Sequence, residues 1–167
     1  TLLGDDSMRI YAMKALTDRK SQLSNVSPEL FSKHLSDTNP KVRLQAAVSL
    51  KRLNKYSAAA VADLIKMAAN SWKEKSVGSL GTMALPHLAS RALTGLGQSH
   101  PQAWKQYLVA FKTGDLKTQK ALSYGLKNVH SPELIQSLIS ELGSEKWSDD
   151  NRLIILDILA RLSHKDE

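Results

Sequence analysis

Lysines and tryptophans are the residues of this chain whose types and spacing best suit binding chemistry. Four lysines fall on or just after segments with a helical pattern: Lys33, Lys66, Lys105 and Lys112. A groove that tracks the phosphates of nucleic acid needs cations in such a row, and the net charge of +7 favours acidic partners. A solvated helix face is the other interpretation, because the 23 basic residues are interspersed with 16 acidic ones.

Two tryptophans, Trp72 and Trp147, lie between predicted helices. A tryptophan in such a position either packs as a lid on the neighbouring unit or offers its ring to a ligand. Together with Lys66, Lys105 and Lys112, these two tryptophans form the predicted binding surface. The third tryptophan belongs to a stripe at helical spacing, which favours the core over stacking on a base or sugar: Trp104, Tyr107, Leu108 and Phe111.

Groups for acid–base, metal or nucleophilic chemistry form no recognisable site. The five histidines are not spaced as helical metal ligands, and the chain has no cysteine. The carboxylate pairs Asp5-Asp6 and Asp149-Asp150 each precede a predicted helix. Acidic side chains at that place cap free N–H groups and complement the helix dipole. We therefore expect a protein without catalytic residues, metal ion or cofactor.

The elements that position these residues follow from residues 37–53, which have a clear helical pattern. Asp37 and Asn39 are of the type that caps a helix N-terminus, and Pro40 suits the first helical turn. Apolar and small residues then recur on one helical face: Val42, Ala46, Ser49, Leu50 and Leu53. The small residues of this face permit close approach of a neighbouring helix.

The same pattern recurs and predicts a stack of similar units. The positions equivalent to Arg43 are spaced by 34, 43, 33 and 33 residues, and they hold Arg9, Arg43, Pro86, Gln119 and Arg152. A near-constant period of this length is typical of stacked helical repeats. The long interval contains an insertion, residues 70–82, which is either a plain flexible connection or a loop on the binding face.

A second helix is predicted in each of the first four units, and a single helix closes the chain. The second helices cover residues 28–35, 57–69, 101–111 and 132–142, and the last helix covers 148–163. The sequence thus predicts an all-α chain of about four helix pairs plus a terminal helix, in a single domain of residues 1–167. No stretch approaches the roughly 18 consecutive apolar residues of a transmembrane helix.

Residues 37–53 resemble a HEAT repeat of the short bacterial type in their D-x-N-P-x-V-R-x-x-A-A-x-x-L order. The resemblance implies a right-handed α-α superhelix, a HEAT-like solenoid whose second helices line the concave face. Any ladder of Arg and Asp contacts between its repeats would be broken at Pro86 and Gln119. The resemblance implies binding without specifying a ligand.

A narrower resemblance involves residues 85–93, 128–134 and 158–165, which follow one another in order. They are similar to the HEAT segment of large multidomain membrane-bound dehydrogenase proteins of environmental bacteria. In those proteins a sugar-dehydrogenase-like propeller precedes the repeats, and a c-type haem domain follows them. The resemblance implies a spacer or docking module of an exported, periplasmic protein. The N-terminus, which lacks an initiator Met, agrees with a piece of a longer chain.

Three functional hypotheses follow. The first is a non-catalytic, monomeric interaction or scaffold module that binds a protein or the neighbouring domains of its parent chain. The second is a nucleic-acid-binding domain with a basic concave groove, in the class of HEAT-like DNA glycosylases, whose catalytic residues do not align here. The third is a lyase or regulatory role like that of phycobilin-lyase HEAT proteins. Mixed charge on both faces fits a scaffold, whereas a continuous basic groove fits a nucleic-acid binder.

Overall fold

A computed structural model describes residues 5–72, 84–127, 129, 132–144 and 147–163. Within these residues the chain is all-helical, which confirms the predicted all-α class, and none of the helices is long and apolar enough to cross a membrane. The helices are α1 (Asp6–Asp18), a 3-10 helix (Lys20–Asn25), α2 (Glu29–Ser32), α3 (Pro40–Leu53), α4 (Ala58–Asn70), α5 (Ala84–Ser99), α6 (Pro101–Thr113), α7 (Leu116–Leu126), α8 (Pro132–Leu142) and α9 (Asp149–Ser163).

Helix ends agree with the capping residues of the sequence. The side chain of Asn39 accepts a hydrogen bond from the backbone N–H of Lys41 at 2.9 Å, and Pro40 is the first residue of α3. The end of α3 is set by Asn54, whose φ of 49° is left-handed. Asparagine tolerates this conformation better than most residues, and it terminates the helix.

The first unit differs most from the predicted elements. The helix expected over residues 28–35 is a single turn, α2, followed by bonds of the tighter 3-10 type, such as the one from Leu35 N–H to the Ser32 carbonyl at 3.0 Å. A further 3-10 helix, Lys20–Asn25, precedes it and is rich in Ser, Asn and Gln. Serine and asparagine side chains compete for backbone hydrogen bonds, so this segment forms short turns instead of a long helix.

The odd-numbered helices pack in one continuous row. Helix α1 contacts α3, α3 contacts α5, α5 contacts α7, and α7 contacts α9. Among the even-numbered helices, α2 contacts α4 and α4 contacts α6. Helix α4 also packs against α5 and α7, so the apolar faces of both sets meet in a shared core.

Small side chains allow the odd-numbered helices to approach one another closely. Ser49 Oγ of α3 donates to the Met13 carbonyl of α1 at 3.3 Å, and Ser90 Oγ of α5 donates to the Ala121 carbonyl of α7 at 3.0 Å. These hydroxyls bond directly to the backbone of the next helix. From the sequence, Ser49 is predicted only to permit close approach of a neighbouring helix, and the structure adds the hydroxyl–backbone bonds of Ser49 and Ser90.

Candidate functional site

The motif residues form a polar cluster where α1 meets α3. Arg9 Nη1 donates to Asp37 Oδ2 at 2.6 Å and also pairs with Asp6, while Asn39 Nδ2 donates to Asp6 Oδ2 at 2.7 Å. Arg43 Nη1 donates to the Asp37 carbonyl at 2.9 Å. The amide of Asn39 and then the guanidinium of Arg9 lower the pKa of Asp6. The cluster joins two successive units through charge and hydrogen bonds.

His34 belongs to the edge of this cluster. Its Nδ1 lies 4.0 Å from Asp37 Oδ2, and only 13% of its side chain is exposed. Burial lowers the pKa of His34, and the positive charges of Lys33 and Arg9 lower it further, against the smaller opposing effect of Asp37. The lowered pKa favours the neutral imidazole, which suits a packing residue.

The arginine contacts are absent at the two positions where the sequence departs from arginine. Pro86 and Gln119 are both buried, and Gln119 Oε1 has no hydrogen-bond partner among the described residues. The pattern returns in α9, where Arg152 Nη2 donates to the Ser144 carbonyl at 3.2 Å. The arginine contacts therefore lie near the two ends of the row, and the central units are joined by packing and hydroxyl–backbone bonds.

The predicted surface lysines lie on helices where acidic residues accompany them. Lys66 is exposed and lies 3.5 Å from Asp63, one turn earlier on α4. Lys112 of α6 pairs with Glu141 of α8 at 2.5 Å. Lys105 is exposed on α6. The second helices thus present mixed charge and not a continuous row of cations.

Both inter-helix tryptophans pack against aromatic residues. Trp147 is 7% exposed, its Nε1 donates to Glu141 Oε2 at 2.9 Å, and its ring centroid lies 6.1 Å from that of Phe111. Trp72 is half-buried, with its ring centroid 5.4 Å from that of Tyr124 on α7. These contacts fit the interpretation of each tryptophan as a lid.

Two of the five predicted surface residues, Lys112 and Trp147, bind the same carboxylate. Glu141 binds Lys112 through Oε1 and Trp147 through Oε2. Lys66 and Trp72, near the same end of α4, line separate clefts.

The stripe on α6 is part of the core. Tyr107 and Phe111 are fully buried, and the ring of Trp104 lies edge-on to Tyr107 with centroids 5.5 Å apart. Gly97 of α5 makes room for this tryptophan, because a Cβ there would lie 2.6 Å from Trp104 Cε3. The core interpretation of the stripe is confirmed.

Three of the clefts on the surface of the described part of the chain border basic residues. One of about 360 Å³ borders Lys66 and Arg43, and one of about 300 Å³ borders Trp72 and Lys127. The third, of about 260 Å³, lies among the odd-numbered helices α3, α5 and α7. It is lined by Lys51, His87, Arg91, Thr94, Gly95, Gln98 and Gly125. The sequence does not indicate this third cleft, because cations on the odd-numbered helices are equally typical of a solvated helix face.

Two of the described histidine and carboxylate side chains, those of His100 and Asp5, bond at helix ends. Within the described residues, no three His, Asp or Glu side chains form a group that could hold a metal ion. His100 Nε2 lies 2.7 Å from the Asn54 carbonyl, and Asp5 caps α1 by accepting from Ser7 N–H at 2.7 Å. His130, His164 and residues 73–82 of the insertion lie outside the described residues.

Comparison with known proteins assigns no family to this chain. No protein-family model matches the chain, and no curated protein is significantly similar to it. The HEAT resemblance therefore rests on the chain's own residues 37–53 and stays a prediction.

Proposed function

We propose that this chain is a HEAT-like solenoid that acts as a non-catalytic binding module for another polypeptide or for neighbouring domains. The continuous row of odd-numbered helices supports the solenoid, and so does the contact of Arg9 in α1 with Asp37, which lies just before α3. Repeat proteins of this kind bury a core by stacking units, and they present extended surfaces to partners.

The placement of exposed apolar side chains is the observation that carries the binding proposal. In the described part of the chain, most large apolar side chains that are exposed lie on the helices that end the row, α1 and α9: Met8, Tyr11, Leu16, Leu153 and Leu156. Tyr11 is 67% exposed and Leu153 is 63% exposed. On each of these helices two of the side chains lie one turn apart, Met8 with Tyr11 and Leu153 with Leu156. Exposed apolar side chains that adjoin one another mark surfaces that bind protein.

The charges of the second helices support the same proposal. Lys66 lies beside Asp63, and Lys112 pairs with Glu141. Mixed charge is what we expect of a scaffold, whereas a groove that binds nucleic acid would be continuously basic. The groove hypothesis for the second helices therefore has less support than a protein partner.

Site-specific photo-crosslinking in the full-length protein, expressed in its own cells, tests the proposal. A photoreactive amino acid replaces Tyr11 or Leu153, and in matched controls it replaces the exposed polar residues Lys66 or Lys105. We expect crosslinks to defined polypeptide segments from the two apolar positions and none from the lysine positions. Equal crosslinking at all four positions, or none at the apolar ones, contradicts the proposal.

A further inference from the structure

We propose that a second surface, on α3, α5 and α7, binds the phosphate backbone of nucleic acid. This surface differs from the apolar ends of the row and from the groove that the sequence predicts on the second helices. Its basis is the way in which basic and acidic residues are divided among the helices.

The three central helices of the row contain basic residues and no acidic residue. Their sequences, Pro40–Leu53, Ala84–Ser99 and Leu116–Leu126, have no Asp or Glu. Arg43 turns toward the Asp37 carbonyl and is half-buried, so it is not part of the surface. The other six basic residues are exposed, and we call them the basic face: Lys41, Lys51, Arg52, Arg91, Lys117 and Lys120.

Acidic residues from other helices reach the edge of this face. Arg52 pairs with Asp18 of α1 at 2.5 Å, where both side chains are nearly half exposed. At the other edge, Lys127, just after α7, pairs with Asp157 of α9. Lys120 of this face also shares a cleft with Asp157 and with a second carboxylate of α9. Acidic groups thus border the basic face on the sides of α1 and α9, which gives the surface defined limits.

Cations converge on one cleft in the middle of the basic face. Lys51 of α3 and Arg91 of α5 line the 260 Å³ cleft together with the imidazole of His87 and the amide of Gln98, and no carboxylate is among its lining residues. Gly95 also lines the cleft and adds no side chain to it. A phosphate oxygen accepts hydrogen bonds from groups of these kinds, namely an ammonium, a guanidinium and an amide.

The dimensions of the basic face suit a nucleic-acid backbone. Packed helices lie about 8–10 Å apart, so cations on three successive helices extend over roughly 20 Å. A duplex rises about 3.4 Å per base pair, so this length corresponds to about six base pairs. Several phosphates can therefore contact the face at once.

The surroundings of these cations favour nucleic acid over a membrane or an acidic protein. Among the described residues, none of the exposed large apolar side chains belongs to α3, α5 or α7. Helices that bind membranes bury Trp, Phe or Leu in the interface, and the cores of protein interfaces are rich in aromatic residues and Met. Phosphate contacts need only the polar donors that this face presents.

Fluorescence anisotropy of the full chain with a labelled DNA duplex of about 12 base pairs tests the proposal, at about 50 mM and about 200 mM salt. If four phosphates are contacted, the Kd rises about a hundredfold between these salt concentrations. The double variant Lys51→Glu/Arg91→Glu should weaken binding at least about tenfold at the lower salt and reduce the salt slope. Vesicles containing phosphatidylserine provide the membrane comparison.

The matched control is Lys66→Glu/Lys105→Glu, which changes the net charge by the same amount on exposed residues of the second helices. We expect its Kd to stay within about threefold of the parent's. Circular dichroism melts check that each variant folds. If Lys51→Glu/Arg91→Glu does not fold, Lys51→Gln/Arg91→Gln is tested in its place.

Three outcomes would overturn the proposal: equal losses of affinity in both double variants, no DNA binding at low salt, or tighter binding to vesicles than to DNA. The crosslinks from Leu153 do not depend on these residues, so the two proposals fail separately.

Discussion

Single residues of the motif act by connecting units, and Asp37 shows this most clearly. Its carboxylate accepts from Arg9 of the preceding unit, while its backbone carbonyl accepts from Arg43 of its own unit. The sequence identified Asp37 as a helix-cap type. Its contact with Arg9 spans 28 residues of chain, and only the packing of α1 on α3 brings the two side chains together.

His34, beside this cluster, should make stability depend on pH. Because its pKa in the folded state is lowered from 6.5, the unfolded state binds a proton more readily as the pH falls below that value. The stabilisation is present above pH 6.5 and is lost as the pH falls toward the folded-state pKa. Urea unfolding at about pH 7.5 and about pH 5.5 should show a smaller loss of stability in His34→Gln than in the parent. Identical losses in the two proteins contradict this assignment.

The surface lysines illustrate which features of single residues can be predicted from the sequence and which cannot. That Lys66 and Lys105 lie on second helices follows from helical periodicity. That Glu141 neutralises Lys112 depends on how α6 and α8 meet, which periodicity does not define. The division of charge, by contrast, was readable in the sequence, since α3, α5 and α7 have no acidic residue.

At the scale of elements, helix bounds were the most predictable feature. The second helices expected over 57–69, 101–111 and 132–142 begin and end within two residues of α4, α6 and α8. Capping residues and prolines act locally, so the sequence reports them directly. The first unit was less predictable, because its short 3-10 and α-helical turns depend on packing of residues such as Phe31, which is fully buried.

The approach of α5 to α7 depends on Gly125. A Cβ there would lie 2.5 Å from Tyr107 Oη, 2.9 Å from Thr94 Cγ2 and 3.0 Å from the Ser90 carbonyl oxygen. Tyr107 cannot easily move aside, because it is fully buried and donates to the Leu122 carbonyl at 2.5 Å. We expect Gly125→Ala to cost about 1–3 kcal/mol of stability, measured by urea unfolding.

Gly95→Ala is the matched control for this prediction. A Cβ at Gly95 meets only Lys51 Cγ, at 3.9 Å, which is ordinary contact. Alanine is a better helix former than glycine, so we expect this variant to gain up to about 1 kcal/mol. Loss of stability in Gly95→Ala equal to that in Gly125→Ala would mean that the close approach of α5 and α7 is not the cause.

At the scale of the whole molecule, the two proposed binding surfaces lie on different helices of the row from α1 to α9. Its ends expose the apolar residues of α1 and α9, and its middle carries the basic face. A partner polypeptide and a nucleic acid would therefore contact different parts of the row, which adjoin at the cleft that Lys120 and Leu153 both line. The periodicity of the sequence predicted stacked units, but exposure at the ends is a property of the assembled row.

Hydrogen exchange on a truncated chain is the measurement that tests the stacked arrangement most directly. In a stack, each unit is stabilised mainly by its nearest neighbours, so a loss at one end affects the adjacent unit most. Helix α9 packs on α7 and α8. Removing residues 148–167 should therefore speed amide exchange in α7 and α8 and leave α1 and α3 nearly as protected as in the parent. A uniform loss of protection from α1 to α8, or no change in any helix, would contradict the stack.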